Sequence, residues 1–110
     1  MSNFVTIDVE TANRSRGSIC QLGVVEVRGG VFANEWSTLV NPEEHFEEFN
    51  TGIHGIDPED VEGAPTFADI SATLRSKLQN QIVISHTFFD LDAIREAKSK
   101  YQIAPIGFSK

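Results

Sequence analysis

Residues 4 to 10 read Phe-Val-Thr-Ile-Asp-Val-Glu, and this alternation constrains the fold more tightly than any other stretch of the chain. Side chains along a strand point to opposite faces with a period of two. Val5, Ile7 and Val9 therefore share one face, while Phe4, Thr6, Asp8 and Glu10 share the other. The first face is suited to a hydrophobic core. The second carries two carboxylates that repel each other and cost free energy to desolvate. A strand of this kind is expected inside a sheet, with its acidic face left for solvent or for a cation.

The segments that follow extend the sheet. A polar loop containing Gly17 leads into residues 18–27, almost continuously apolar, as for a strand covered on both faces. Arg28-Gly29-Gly30 is a turn signal, so residues 31–40 are expected to fold back as the second arm of a hairpin, which Asn41-Pro42 ends. Residues 43–50 are acidic with interleaved Phe46 and Phe49, and 51–56 read as a Gly-punctuated loop.

Asp57-Pro58-Glu59-Asp60 has the form of a helix start, with Asp as N-cap and Pro at the first helical position. Gly63 and Pro65 keep that helix short. Thr66 with Asp69 resembles a capping box, and Phe67, Ile70, Leu74 and Leu78 form one apolar stripe behind it. Residues 82–85 then read as a short buried strand. Leu91, Ile94, Ala97 and Tyr101 mark a last amphipathic helix, closed by Ala104-Pro105. The expected fold is a one-domain α/β architecture spanning residues 1–110. Its mixed sheet has three antiparallel strands and then a parallel strand reached through a helix, with helices alongside.

Composition narrows the function. The net charge is −7, whereas bulk electrostatic binding to phosphates favours a basic protein. Any nucleic-acid contact is therefore expected at a local site bridged by divalent cations. No apolar run approaches the roughly 18–20 residues of a membrane-spanning helix, and the N-terminus lacks a signal-peptide pattern. Cys20 is the single cysteine, which excludes an internal disulfide and suits a reducing compartment. A cytoplasmic location with no membrane partner is the expectation.

Asp8 and Glu10 project together, and a hard oxygen-seeking cation such as Mg²⁺ or Mn²⁺ would remove both their repulsion and their desolvation cost. A merely solvated face is the alternative. Asp90 follows the strand at 82–85 and lies in the first turn of the next helix, where α/β folds commonly place ligands; there it could equally complement the helix dipole. Asp92 falls on a different face of that helix. Phe88 and Phe89 read first as core residues and second as a platform for base stacking.

Three segments together, "FVTIDVETAN…SICQLGVV", "NTGIHGIDPEDVEGAPTF" and "IVISHTFFDLDAI", resemble the DEDDh 3′–5′ exonucleases. This DnaQ-like family includes the proofreading epsilon subunit of bacterial DNA polymerase III. The resemblance implies a ribonuclease-H-like fold. It also implies metal-dependent removal of nucleotides from the 3′ end of single-stranded DNA, or of RNA, with two Mg²⁺ or Mn²⁺ ions and a DNA polymerase as a possible partner. Asp8, Glu10 and Asp90 match the family's metal-binding acids. Thr11 and His54 match positions beside the terminal nucleotide, and Phe89 is placed with them as a substrate contact. His54 is expected in the pocket wall, His86 in a structural role and His45 at the surface.

The chain departs from the family in one respect. The family's third motif is a histidine followed five residues later by an aspartate, which serve as general base and fourth acid. After Asp92 this sequence has neither residue type. On the resemblance, it reads as the N-terminal portion of an exonuclease domain, expected to leave apolar surface uncovered on its C-terminal side and to self-associate there. A general base is worth ~10²–10⁴ in rate. Two other functions therefore stay open, a non-catalytic module binding metal, nucleotide or a polymerase, and another ribonuclease-H-like phosphoryl-transfer enzyme.

Overall fold

A computed structural model describes residues 2–85 and 88–109. The Gly29-Gly30 pair sets the first half of the fold. Both glycines have positive φ, 61° and 77°, and Arg28 pairs with Val31 across them. Two positive-φ residues in a two-residue loop match the twist of antiparallel strands, which only glycine adopts without strain. The hairpin joins β2 (Ile19–Arg28) to β3 (Val31–Leu39), and β2 pairs antiparallel with β1 (Phe4–Thr11). The later strand β4 (Val83–Ser85) pairs parallel with β1 on its other side. The sheet order is β3-β2-β1-β4, the mixed sheet read from the sequence.

Helices α2 (Phe67–Leu78) and α3 (Phe88–Lys100) supply the apolar faces that pack on the sheet. Thr66 caps α2 by a reciprocal capping box with Asp69. The expected stripe of Phe67, Ile70, Leu74 and Leu78 is buried in full. It meets Val5, Ile7 and Val9 of β1, Leu22 and Val24 of β2, and Ala93, Ile94 and Ala97 of α3 in one cluster. Fully burying a side chain of this size contributes roughly 1.5–3 kcal/mol, so the inward face of β1 is anchored strongly. Leu91 and Tyr101, read as stripe residues of α3, are only partly buried at the margin of this cluster.

Four local expectations are corrected by the structure. The Gly-punctuated segment is helical: α1 spans Glu48–His54, and Gly55 ends it at φ 75°. Asp57 does accept from the backbone of Glu59 and Asp60 as a cap would, but residues 58–63 form turns only. Gly63, at φ 80°, turns the chain before a helix can propagate. The strand β4 buries Val83 alone, leaving Ile84 46% exposed. Likewise the inward side chains of β2 are buried, whereas Val25 and Val27 are half-exposed.

The last two corrections have one cause. The helices cover a single face of the sheet, so outward positions stay open even where they are apolar. That open face also carries Asp8 and Glu10.

Candidate active site

Strand β1 changes character at its end. Its register against β2 is regular from Phe4 to Glu10 and then shifts by a bulge between Glu10 and Thr11. Asp8 lies opposite Gly23 and Glu10 opposite Gln21. With no side chain at Gly23, a recess of about 160 Å³ remains beside both acids, lined also by Leu22 and Ser37. Asp8 is exposed and Glu10 half-buried.

Asp90 approaches from the opposite side of β1. Strand β4 stops at Ser85, paired with Ile7, which leaves the next outward backbone amide, that of Val9, beyond the ladder. Val9 N–H donates instead to Asp90 Oδ1 at 3.1 Å, and Asp90 is only 6% exposed. The acid of α3 is thereby tied to the backbone between Asp8 and Glu10. Asp92 faces elsewhere, accepting from Arg16 at 2.6 Å and pairing with Arg95 at 2.8 Å.

Thr11 and His54 meet at the strand end. Ile56 N–H donates to His54 Nδ1 at 3.0 Å, so the ring proton resides on Nε2, which donates to the Thr11 carbonyl at 2.8 Å. Both ring nitrogens are occupied by backbone groups, which leaves His54 without a free lone pair for water. The buried Cys20 thiol lies 3.8 Å from Nε2, and burial, followed by the nearby Glu10 charge, pushes its pKa up to about 12. His45 is exposed, as expected, and His86 lies outside the described residues.

Helix α1 is bolted to the same end. Glu47 N–H donates to the Ala12 carbonyl, and Glu47 Oε1 accepts from Arg14 N–H at 2.6 Å. The Arg14 guanidinium hydrogen-bonds Glu47 and holds its carboxyl at about 2. Asn50 Nδ2 donates to three oxygens of the strand end, Thr11 O, Thr11 Oγ1 and Asn13 O, at 3.2–3.3 Å. The result is a cavity of about 300 Å³ next to Glu10, walled by Thr11, Asn50, His54, Phe49, Ile53 and Phe89.

Phe89, 36% exposed, and Phe88, 75% exposed, are not core residues. Phe89 borders the cavity while Phe88 does not. Phe49 and Asn50 escape the sequence reading because residues 43–50 read only as an acidic stretch with interleaved Phe. Once Glu48–His54 is helical, the i, i+4 spacing of Phe49 and Ile53 puts both on one rim. A larger cavity, about 420 Å³ and lined by Glu43, Glu44, His45 and Glu62 among others, lies apart from Asp8 and Glu10.

The carboxylate oxygens of Asp8 and Glu10 are the hard donors that Mg²⁺ or Mn²⁺ takes. Among the described residues, no three His, Cys, Asp or Glu side chains stand close enough to hold one ion together. Asp8 and Glu10 thus offer two ligands of a shell, with Asp90 adjoining through Val9.

A family model described as RNase_T, exonuclease, matches residues 5–106. The chain belongs to the RNase_T exonuclease family. Similar proteins within reach of this exonuclease domain include a PolC-type DNA polymerase III of Oceanobacillus iheyensis, 27% identical over 96 residues. The match covers 84% of this chain and 7% of the polymerase. RNA exonuclease 4 of Mycosarcoma maydis is 23% identical over 88 residues, 76% of this chain and 23% of that protein. The exonuclease domain thus spans less than a quarter of the length of either relative.

Among solved structures, exonuclease I superposes with a TM-score of 0.81 at 16% identity, over 96% of this chain and 25% of that one. Exonuclease X, solved in complex with 5′-overhanging duplex DNA, superposes with a TM-score of 0.72 at 23% identity, over 83% and 52%. The fold is ribonuclease-H-like.

Proposed function

We propose that this exonuclease domain hydrolyses nucleotides from the 3′ end of single-stranded DNA in a metal-dependent reaction. The observation that carries the reading is the placement of Asp8 and Glu10 on the open face of β1, with Glu10 bordering a cavity walled by Phe49, Phe89 and His54. A divalent cation held by Asp8 and Glu10, with Asp90 alongside, would lower the pKa of bound water and neutralise charge on the phosphodiester. The protein's own part is positioning. Phe49, Ile53 and Phe89 exclude water from the terminal base, which stacks on an aromatic ring. Asn50 and His54 fix the end of β1, so that Glu10 and Thr11 keep their places beside the terminal sugar.

No described histidine is placed as a general base, since His54 is saturated and His45 lies at the other cavity. We therefore expect hydrolysis by the 110-residue chain to be slow, by the ~10²–10⁴ that such a base contributes.

The second reading, a module that binds without turnover, draws on the same saturated histidine. Incubating the chain, and a longer form carrying the third motif, with 3′-labelled single-stranded DNA and RNA in Mg²⁺ or Mn²⁺ separates the two. Release of the 3′ label that Asp8→Ala abolishes supports the exonuclease, and preference for the RNA strand reassigns its substrate. Absence of release by either length refutes it.

A further inference from the structure

A polymer whose end lies beside Glu10 must leave that cavity along one of its walls, and the charges of the walls differ. The α1 side carries Glu48 and the Glu47–Arg14 ion pair, and the open sheet face carries Asp8 and Glu35. The groove-lining side of α3 presents two cations, Arg95 and Lys98, beside one acid, Asp92, in a chain whose net charge is −7. Arg16 lies 5.5 Å above the Phe89 ring of the cavity and hydrogen-bonds Asp92. Asp92 also pairs with Arg95, and both residues line a groove of about 170 Å³ between α3 and the segment around Ile106.

Exposed Phe88 stands at one end of this groove and Lys98 at the other. Ten helical steps lead from one to the other, about 15 Å at 1.5 Å per residue. Arg75 secures the far wall by donating to the carbonyls of Ala104 and Pro105. Lys98 pairs with no carboxylate among the described residues. Burial, then Arg75 and Arg95, hold its ammonium below the ordinary lysine range, a cost that an incoming phosphate would relieve.

We propose that this groove, floored by Leu91, Ile94 and Phe108 and edged by Arg95 and Lys98, takes the phosphates and bases of a single-stranded nucleic acid upstream of the 3′ end. The proposal rests on the exonuclease reading. Aromatic rings beside cations are what single strands bind by stacking and charge neutralisation. The groove runs on from the substrate cavity through Phe89, Arg16 and Asp92.

The test uses fluorescence anisotropy of the 110-residue chain with labelled dT₂ and dT₁₂, metal-free so that nothing is hydrolysed, across a salt series. Each phosphate contact in a single strand contributes about 0.7 to the slope of log K against log salt. The double variant Arg95→Gln/Lys98→Gln should flatten the dT₁₂ slope by about 1.4 and weaken binding roughly 20-fold near 0.1 M salt. Lys98→Gln alone should flatten it by about 0.7. Binding of dT₂ should not change, and neither should Lys77→Gln, a cation over Trp36 on α2, alter the slope.

An unchanged dT₁₂ slope overturns the groove, as does an equal loss for dT₂. So does Lys98-dependent binding of an acidic phenylalanine-containing peptide by a chain that ignores dT₁₂. Metal-dependent hydrolysis, measured separately with Asp8→Asn, reports on the exonuclease reading. A flattened slope without hydrolysis sustains the groove and refutes that reading; hydrolysis with an unflattened slope does the reverse.

Discussion

Replacing Asp90 separates its structural role from its chemical one. Its Oδ1 accepts from Val9 N–H where strand β4 has ended, in a site only 6% exposed. Asp90→Ala leaves that amide buried without a partner, which costs about 1–3 kcal/mol, and more when the lost acceptor was charged. At an m-value of about 1–3 kcal/mol/M, the urea midpoint should fall by roughly 1–2 M. Asp90→Asn keeps a carbonyl oxygen for Val9 and removes the charge, so its midpoint should stay close to the wild type. Both variants should lose hydrolysis by more than the roughly 10–100-fold that disturbing an outer-shell partner costs at a metal site. Equal midpoints for Asp90→Ala and the wild type would refute the tie to β1. Full activity in Asp90→Asn would refute the catalytic role.

Three further outcomes follow from the same contacts. His54→Ala removes the bridge between Ile56 N–H and the Thr11 carbonyl, and calorimetry should show a melting temperature lower by about 4–10 °C. The Glu47 carboxyl, held at about 2 by Arg14, should titrate there by NMR and return to the ordinary range in Arg14→Gln. Because the folded value is depressed, the pair's stabilisation is present above the unfolded pKa and is lost as pH falls toward 2. Cys20, buried with its pKa at about 12, should stay unreactive toward a disulfide reagent at pH 8 until urea unfolds the chain.

What could be read from the sequence were features with strong local causes. The alternation of β1, the Gly29-Gly30 turn and the Thr66–Asp69 cap each dictate their element through nearest neighbours, and the structure contains all three. The misreadings arose where tertiary contacts decide. Nothing local marks Glu48–His54 as a helix, with Gly52 inside it; the segment is held by Glu47 on Ala12, Asn50 on Thr11 and Asn13, and His54 on Thr11. The exposure of Ile84 depends on the helices covering one sheet face, which periodicity cannot show. Asp8 and Glu10 were legible as a pair because a strand forces i and i+2 together. The cavity beside Glu10 was only partly legible, since half its wall comes from α1.

Titration of the chain with Mn²⁺, followed by electron paramagnetic resonance of the free ion, tests the account at its centre. Wild type should bind the ion, and Asp8→Asn and Glu10→Gln should each weaken that binding by at least about tenfold while keeping the wild-type melting temperature. Binding that ignores both substitutions, or no binding at millimolar Mn²⁺, would contradict the assignment of these two carboxylates to a metal site.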